Sequence, residues 1–263
     1  MATDKLRNER KKLGDLDISY LTGGQGDPLI VIHGGGDSGR AWLQNASELS
    51  KHYRVFVPDL PGYGLSQSPA DNFYWPEFVA FVEEFSNSLS LQRFHLVGHS
   101  LGGGIALQYA LKFPDKINRL VLVSSICLGR EIALWARFLS HLTNRRPIAE
   151  AAFSVLKVAR WLGKLFYAPL EFLDPFLQIK IDIGRNVMTI KGQTTVLLNQ
   201  LSELLVPTLL VWGAKDGIVP VSHAYAAARL IPDCQLHVFT SCGHSVYRQQ
   251  LQEFSRLLVK FLG

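Results

Sequence analysis

The chain has 263 residues, 48% of them apolar, with 27 Lys and Arg against 22 Asp and Glu. This composition excludes a disordered, collagen-like or low-complexity protein and allows one large hydrophobic core with an embedded insertion. The net charge of +5 belongs to one segment, residues 128–200, which hold ten basic and five acidic residues; no nucleic-acid motif and no basic face interleaved with stacking aromatics accompanies it, so nucleic acid is not an expected partner.

A hairpin-like start around Ile18 to Leu21, ending in Thr22-Gly23-Gly24, predicts antiparallel strands at one sheet edge. A β-branched run at 29–32 then reads as a buried strand, followed directly by His33-Gly34-Gly35-Gly36. Further strands are predicted at 54–57, 94–97 and 119–123, with helices at 41–51, 75–91 and 101–113, the last closed by Pro114. From 128 to 198 the strand signal disappears, and Leu, Phe, Ala, Trp and basic residues recur at helical spacing, broken by Pro147, Pro169 and Pro175. Alternation resumes with a strand at 208–212, a helix at 222–230, a strand at 235–239 and a helix at 246–262. Strand-helix-strand repetition builds a mostly parallel sheet flanked by helices. The expected organisation is a discontinuous core, 1–127 and 199–263, interrupted by a helical lid at 128–198.

Gly98-His99-Ser100-Leu101-Gly102 is a G-x-S-x-G pattern between a predicted strand and a predicted helix. A serine on so sharp a turn is pushed out above the sheet, and the helix start favours developing negative charge beside it. A serine hydroxyl needs a base, and the base needs an orienting acid. Asp216 follows the strand at 208–212 and His244 follows the strand at 235–239, the order Ser, Asp, His. Oxyanion donors are expected from the backbone of Leu101 and of Gly35 or Gly36 in the loop after the first parallel strand. The glycines lack the spacing of a phosphate-binding G-x-G-x-x-G. His99 is expected to pack the elbow, with a second base or a contact to substrate as the alternative roles.

Together these motifs, with Asp59-Leu60-Pro61-Gly62-Tyr63-Gly64-Leu65-Ser66, resemble the lid-bearing α/β-hydrolase fold family over nearly the whole chain outside the insertion. The resemblance implies an eight-stranded sheet with the lid inserted after the sixth strand. Serine at the elbow argues against the dehalogenases and epoxide hydrolases of that family, which carry aspartate there. The C-terminal part is similar to the carbon–carbon bond hydrolases of aromatic degradation, through Trp212-Gly213, Asp216, Val219-Pro220, Cys242-Gly243-His244 and Glu253-Phe254. Those enzymes usually carry asparagine before the nucleophile, tryptophan after the histidine and proline in the glycine loop, where this chain has His99, Ser245 and Asp37-Ser38-Gly39. The mismatches favour an esterase-type reaction through an acyl-enzyme, with carbon–carbon hydrolysis of a ring-cleavage dienone as one alternative and a ligand receptor of low turnover as another.

The insertion offers apolar surface, including Trp161 and Phe166, which predicts a pocket for a hydrophobic acyl or alkyl ester. In the carbon–carbon hydrolases an arginine binds the substrate carboxylate, a role the resemblance extends to Arg185. Lys157, Arg160 and Lys164 fall on one helical face, so transient contact with an anionic lipid surface is a weaker expectation. No apolar leader follows the charged start, and no apolar run reaches the roughly 18 to 20 residues of a membrane span, so a cytoplasmic protein is expected. Cys127, Cys234 and Cys242 are too scattered for a disulfide framework or a zinc pair, and the chemistry needs neither metal nor organic cofactor.

Overall fold

In a computed structural model that describes residues 6–70, 73–134, 137, 187–189 and 191–263, the chain opens with an antiparallel hairpin of β1 (Arg7–Leu13) and β2 (Leu16–Gly23). Then come β3 (Pro28–Ile32), β4 (Arg54–Pro58), β5 (Phe94–His99) and β6 (Ile117–Val123). A short pair, β7 (Met188–Thr189) and β8 (Gly192–Gln193), lies apart, and β9 (Thr208–Gly213) and β10 (Cys234–Phe239) complete the main sheet. Its eight strands run in the order β1-β2-β4-β3-β5-β6-β9-β10, parallel from β4 to β10.

The central strands are buried on both faces, which is why they read as continuous apolar runs rather than alternating ones. Their side chains still divide by parity. Ile30, Ile32, Leu96, Leu120, Leu122, Leu210 and Trp212 join one core with α2 (Trp75–Ser88), α3 (Leu101–Lys112) and α4 (Ser222–Ala228). Leu29, Val31, Val97, Val121, Val123, Leu209 and Val211 join the other, beneath α1 (Leu43–Leu49) and α6 (Leu251–Leu262). Fully burying each such side chain stabilises the fold by roughly 1.5–3 kcal/mol. A one-residue slip of any strand would exchange the two sets.

Two local expectations change. The helix predicted at 246–262 is two helices, α5 (Val246–Gln249) and α6, broken at Gln250 with φ −130° and ψ 51°. At this break the buried Asn45 amide donates to the Tyr247 carbonyl over 3.1 Å, a tie from across the fold that local periodicity does not contain. The stretch from 128 to 198, read as helical throughout, contains the β7–β8 pair near its end. There Gln193 Oε1 accepts the Cys127 N–H at 2.6 Å and the Leu197 N–H donates to the Cys127 carbonyl at 2.8 Å, so the two ends of the insertion are knitted together beside β6. Trp161, Phe166 and Arg185 lie outside the described residues. No helix among the described residues is long and apolar enough to cross a membrane.

Candidate active site

Ser100 stands between β5 and α3 with φ +52° and ψ −112°, a left-handed backbone that non-glycine residues rarely adopt. The strain is held by three hydrogen bonds. Ser100 N–H donates to the Val123 carbonyl at 2.9 Å, and the Ser100 carbonyl accepts from Gly104 at 3.1 Å and Ile126 at 3.2 Å. The flanking glycines are dictated by close approach: a Cβ on Gly98 would collide with the Gly102 carbonyl, and one on Gly102 with the carbonyls of Ile32 and His33. The G-x-S-x-G pattern is therefore a steric record of strand, turn and helix packed backbone to backbone.

His244 and Asp216 meet beside this turn. His244 Nδ1 donates to Asp216 Oδ2 at 2.9 Å, and Asp216 Oδ1 accepts the N–H groups of Ile218 at 2.9 Å and Val219 at 3.0 Å. Burial of the carboxylate works against its charge. The hydrogen bond and charge of His244, with the two backbone donors, outweigh burial and hold it below the usual carboxylate range. In the neutral ring, with Nδ1 donating, Nε2 carries the lone pair.

The glycine loop comes to the same place. The Cβ position of Gly34 lies 3.3 Å from Ser100 Cβ, and that of Gly35 lies 3.6 Å from the Leu101 side chain, so the glycine loop packs directly on the elbow. His99 is 4% exposed. Its ring lies 4.8 Å from the His244 ring and 5.0 Å from the Tyr247 ring, and its Nε2 donates to the His244 carbonyl at 3.1 Å. That placement, buried against His244 and Tyr247, fits the packing role. Burial, then the neighbouring His244, holds His99 well below the usual histidine pKa, so it stays neutral.

Three further groups shape the loop. His33 Nδ1 donates to the Gly34 carbonyl at 2.8 Å while its Nε2 accepts the Leu60 N–H at 3.0 Å, and full burial keeps it neutral. Asp59 accepts the N–H groups of Gly39 at 2.6 Å and Leu65 at 2.8 Å, which ties the D-x-P-G-x-G-x-S segment to the glycine loop. Arg248 Nη2 reaches both carboxylate oxygens of Asp37 at 2.7 Å. Asp59 was visible through its motif; the Asp37–Arg248 pair, 211 residues apart, had no local signal. Among the described residues, no three His, Cys, Asp or Glu side chains gather as metal ligands.

The sequence profile of the alpha/beta hydrolase fold matches residues 27–147 and 134–249, nearly the whole of this architecture. The chain belongs to the α/β-hydrolase fold family. Within the family it is 32% identical over 257 residues to a 2-hydroxymuconate semialdehyde hydrolase of Pseudomonas putida, covering 91% of this chain and 88% of that protein. A 2-hydroxy-6-oxo-2,4-heptadienoate hydrolase of Pseudomonas putida is 29% identical over 262 residues, covering 95% and 94%. Among solved structures, a meta-cleavage product hydrolase of Pseudomonas fluorescens superposes with a TM-score of 0.74 at 26% identity, covering 96% of each chain. A carboxylesterase of Bacillus subtilis superposes at 0.77 with 21% identity, over 98% of this chain and 91% of that one, a likeness of fold alone. This α/β hydrolase thus has both ester-cleaving and carbon–carbon-cleaving enzymes among its neighbours.

Proposed function

We propose that the chain is a serine hydrolase cleaving an ester-type bond of a small, largely apolar substrate, with Ser100 as nucleophile, His244 as general base and Asp216 as the acid that orients it. The observation that carries this reading is the 2.9 Å bond from His244 Nδ1 to a buried carboxylate, beside a serine held at positive φ. His244 Nε2 takes the hydroxyl proton as Ser100 Oγ attacks the carbonyl carbon. The N–H groups of Leu101 and of Gly35 or Gly36 hold the oxyanion, each such donor being worth on the order of 3 kcal/mol in the transition state. The imidazolium returns its proton to the leaving alkoxide, and water activated by the same ring releases the acyl group. Asp216 fixes the tautomer and stabilises the charged ring.

The reading treats residues 1–127 and 199–263 as the catalytic core and 128–198 as the cover that selects the acyl group, with Trp161 and Phe166 as apolar lining. Carbon–carbon bond hydrolysis is the second reading, favoured by relatives 29–32% identical over more than nine-tenths of the chain; under it, Arg185 meets a substrate carboxylate. Ser100→Ala is expected to abolish turnover of short p-nitrophenyl esters, and full retention of activity by that variant would sink the assignment. A parallel screen of graded-chain esters, lactones and one ring-cleavage dienone separates the two reactions, since only a carbon–carbon hydrolase bleaches the dienone.

A further inference from the structure

The loop that carries the oxyanion donors and the loop that carries His244 are joined outside the site by a cluster none of the motifs contains. Asp37 directly follows Gly36, and its N–H closes the loop onto the Gly34 carbonyl at 3.3 Å. Its carboxylate accepts Arg248 Nη2 at 2.7 Å on both oxygens and the Tyr247 hydroxyl at 3.2 Å. Arg248 is only four residues beyond His244. Tyr247 is anchored in turn: its ring stacks on Trp42 at 4.1 Å with 1° between planes, and its carbonyl accepts the Asn45 amide. We propose that Asp37 and Arg248 are positioning residues, a clamp that holds the glycine loop in register with His244; the proposal rests on the serine-hydrolase reading above.

The side chains of Arg248 and Asp37 are 47% and 28% exposed, and an ion pair that open to water contributes little to stability. What it does here, together with the Tyr247 hydroxyl on the same carboxylate, is tie the glycine loop to the segment that carries His244. Donors displaced by a fraction of an ångström still contact a ground-state carbonyl, but lose part of their hold on the oxyanion. Loss of the clamp should therefore lower kcat and leave KM nearly unchanged.

The test measures kcat and KM for a p-nitrophenyl ester, and the inhibition constant of a substrate-shaped trifluoromethyl ketone that forms a tetrahedral adduct on serine. It uses Arg248→Met, Asp37→Asn, their double variant, Arg248→Lys and Ser100→Ala. Lys51→Met, which breaks the exposed Lys51–Glu48 pair, controls for loss of a surface ion pair. Arg248→Met and Asp37→Asn should each lower kcat and inhibitor affinity together by about tenfold, part of the value of one oxyanion donor. KM should stay within about twofold, and the double variant should be no worse than the worse single. Arg248→Lys should recover most of the loss, and Lys51→Met should match the wild type. The clamp is refuted if either single variant keeps wild-type kcat and inhibitor affinity, if KM alone moves, or if the two losses simply multiply. Ester turnover by Ser100→Ala would instead overturn the underlying reading, whatever Arg248 does.

Discussion

Asp216→Asn offers the sharpest trial of the proposed chemistry, because the structure decides which way the new amide must face. In the wild type Oδ1 accepts two backbone N–H groups, from Ile218 and Val219, and Oδ2 accepts His244 Nδ1–H. An asparagine keeps one acceptor oxygen and gains an NH2 that only donates. Turning the NH2 toward Ile218 and Val219 would leave two buried donors facing donors, at roughly 1–3 kcal/mol each. Turning it toward His244 sacrifices one bond, so this orientation wins. The imidazole then relieves the conflict by carrying its proton on Nε2 and accepting at Nδ1, and a ring protonated on the side of Ser100 cannot take the serine proton. A fall in kcat of about 10³ to 10⁴ is expected, equal to roughly 4–5.5 kcal/mol of barrier, with KM little changed. Steady-state ester hydrolysis at neutral pH measures it, and a variant within tenfold of the wild type would refute the assignment of Asp216.

The same carboxyl makes a statement about stability. Its native pKa lies below its ordinary value, so its contribution is complete above the unfolded-state pKa near 3.9 and is lost as pH falls through the native one. The melting-temperature gap between wild type and Asp216→Asn should accordingly narrow below pH 4.

Two other perturbations follow from contact geometry and burial. A Cβ on Gly34 would lie 2.7 Å from His99 Nδ1, whereas one on Gly35 meets the Leu101 side chain at an ordinary 3.6 Å; Gly34→Ala is expected to lose about 1–3 kcal/mol of stability and Gly35→Ala much less, so equal behaviour of the two in melting assays contradicts the geometry. His33, His95 and His99 are held below the ordinary histidine pKa, first of all by burial; below pH 6.5 the unfolded chain gains protons that the native one refuses, and stability declines. His99→Asn, which keeps an N–H for the His244 carbonyl, should make denaturant-derived stability fall less steeply between pH 6.5 and 5, and an unchanged slope would show that His99 titrates normally.

What the sequence disclosed, and what it concealed, follows the range of the interactions. The elbow was legible because its steric demands are local: Gly98, Ser100 and Gly102 are each compelled by atoms a few residues away or on an adjoining strand end. Asp216 and His244 were legible by order, since each follows the C-terminal end of a strand, Thr208–Gly213 and Cys234–Phe239. The break at Gln250 was not legible, because the Asn45–Tyr247 tie near it spans 202 residues. The role of His33 was not legible, since its partner Leu60 enters only when β4 is laid beside β3. The short β7–β8 pair escaped for a different reason: two-residue strands carry no periodicity, and the bonds of Gln193 to the segment after β6 exist only once the ends of the insertion meet.

The departures from the carbon–carbon hydrolase pattern, scattered in sequence, gather on one wall of the fold. This chain has Asp37-Ser38-Gly39 where the glycine loop of that pattern usually holds a proline, His99 before Ser100 where it usually has asparagine, and Ser245 after His244 where it usually has tryptophan. In the structure Asp37 binds Tyr247 and Arg248, the His99 ring packs on Tyr247, and the Ser245 carbonyl accepts the Arg248 N–H at 3.1 Å as α5 begins. Asp37 and His99 thus meet at Tyr247, one through its hydroxyl and the other through its ring, while Ser245 contributes backbone at the turn that carries Arg248. Exchanging one of the three toward the relatives' pattern leaves the contacts of the others in place. A single exchange is therefore expected to weaken ester turnover rather than convert it to carbon–carbon cleavage, which assays of each variant on a p-nitrophenyl ester and a ring-cleavage dienone would read.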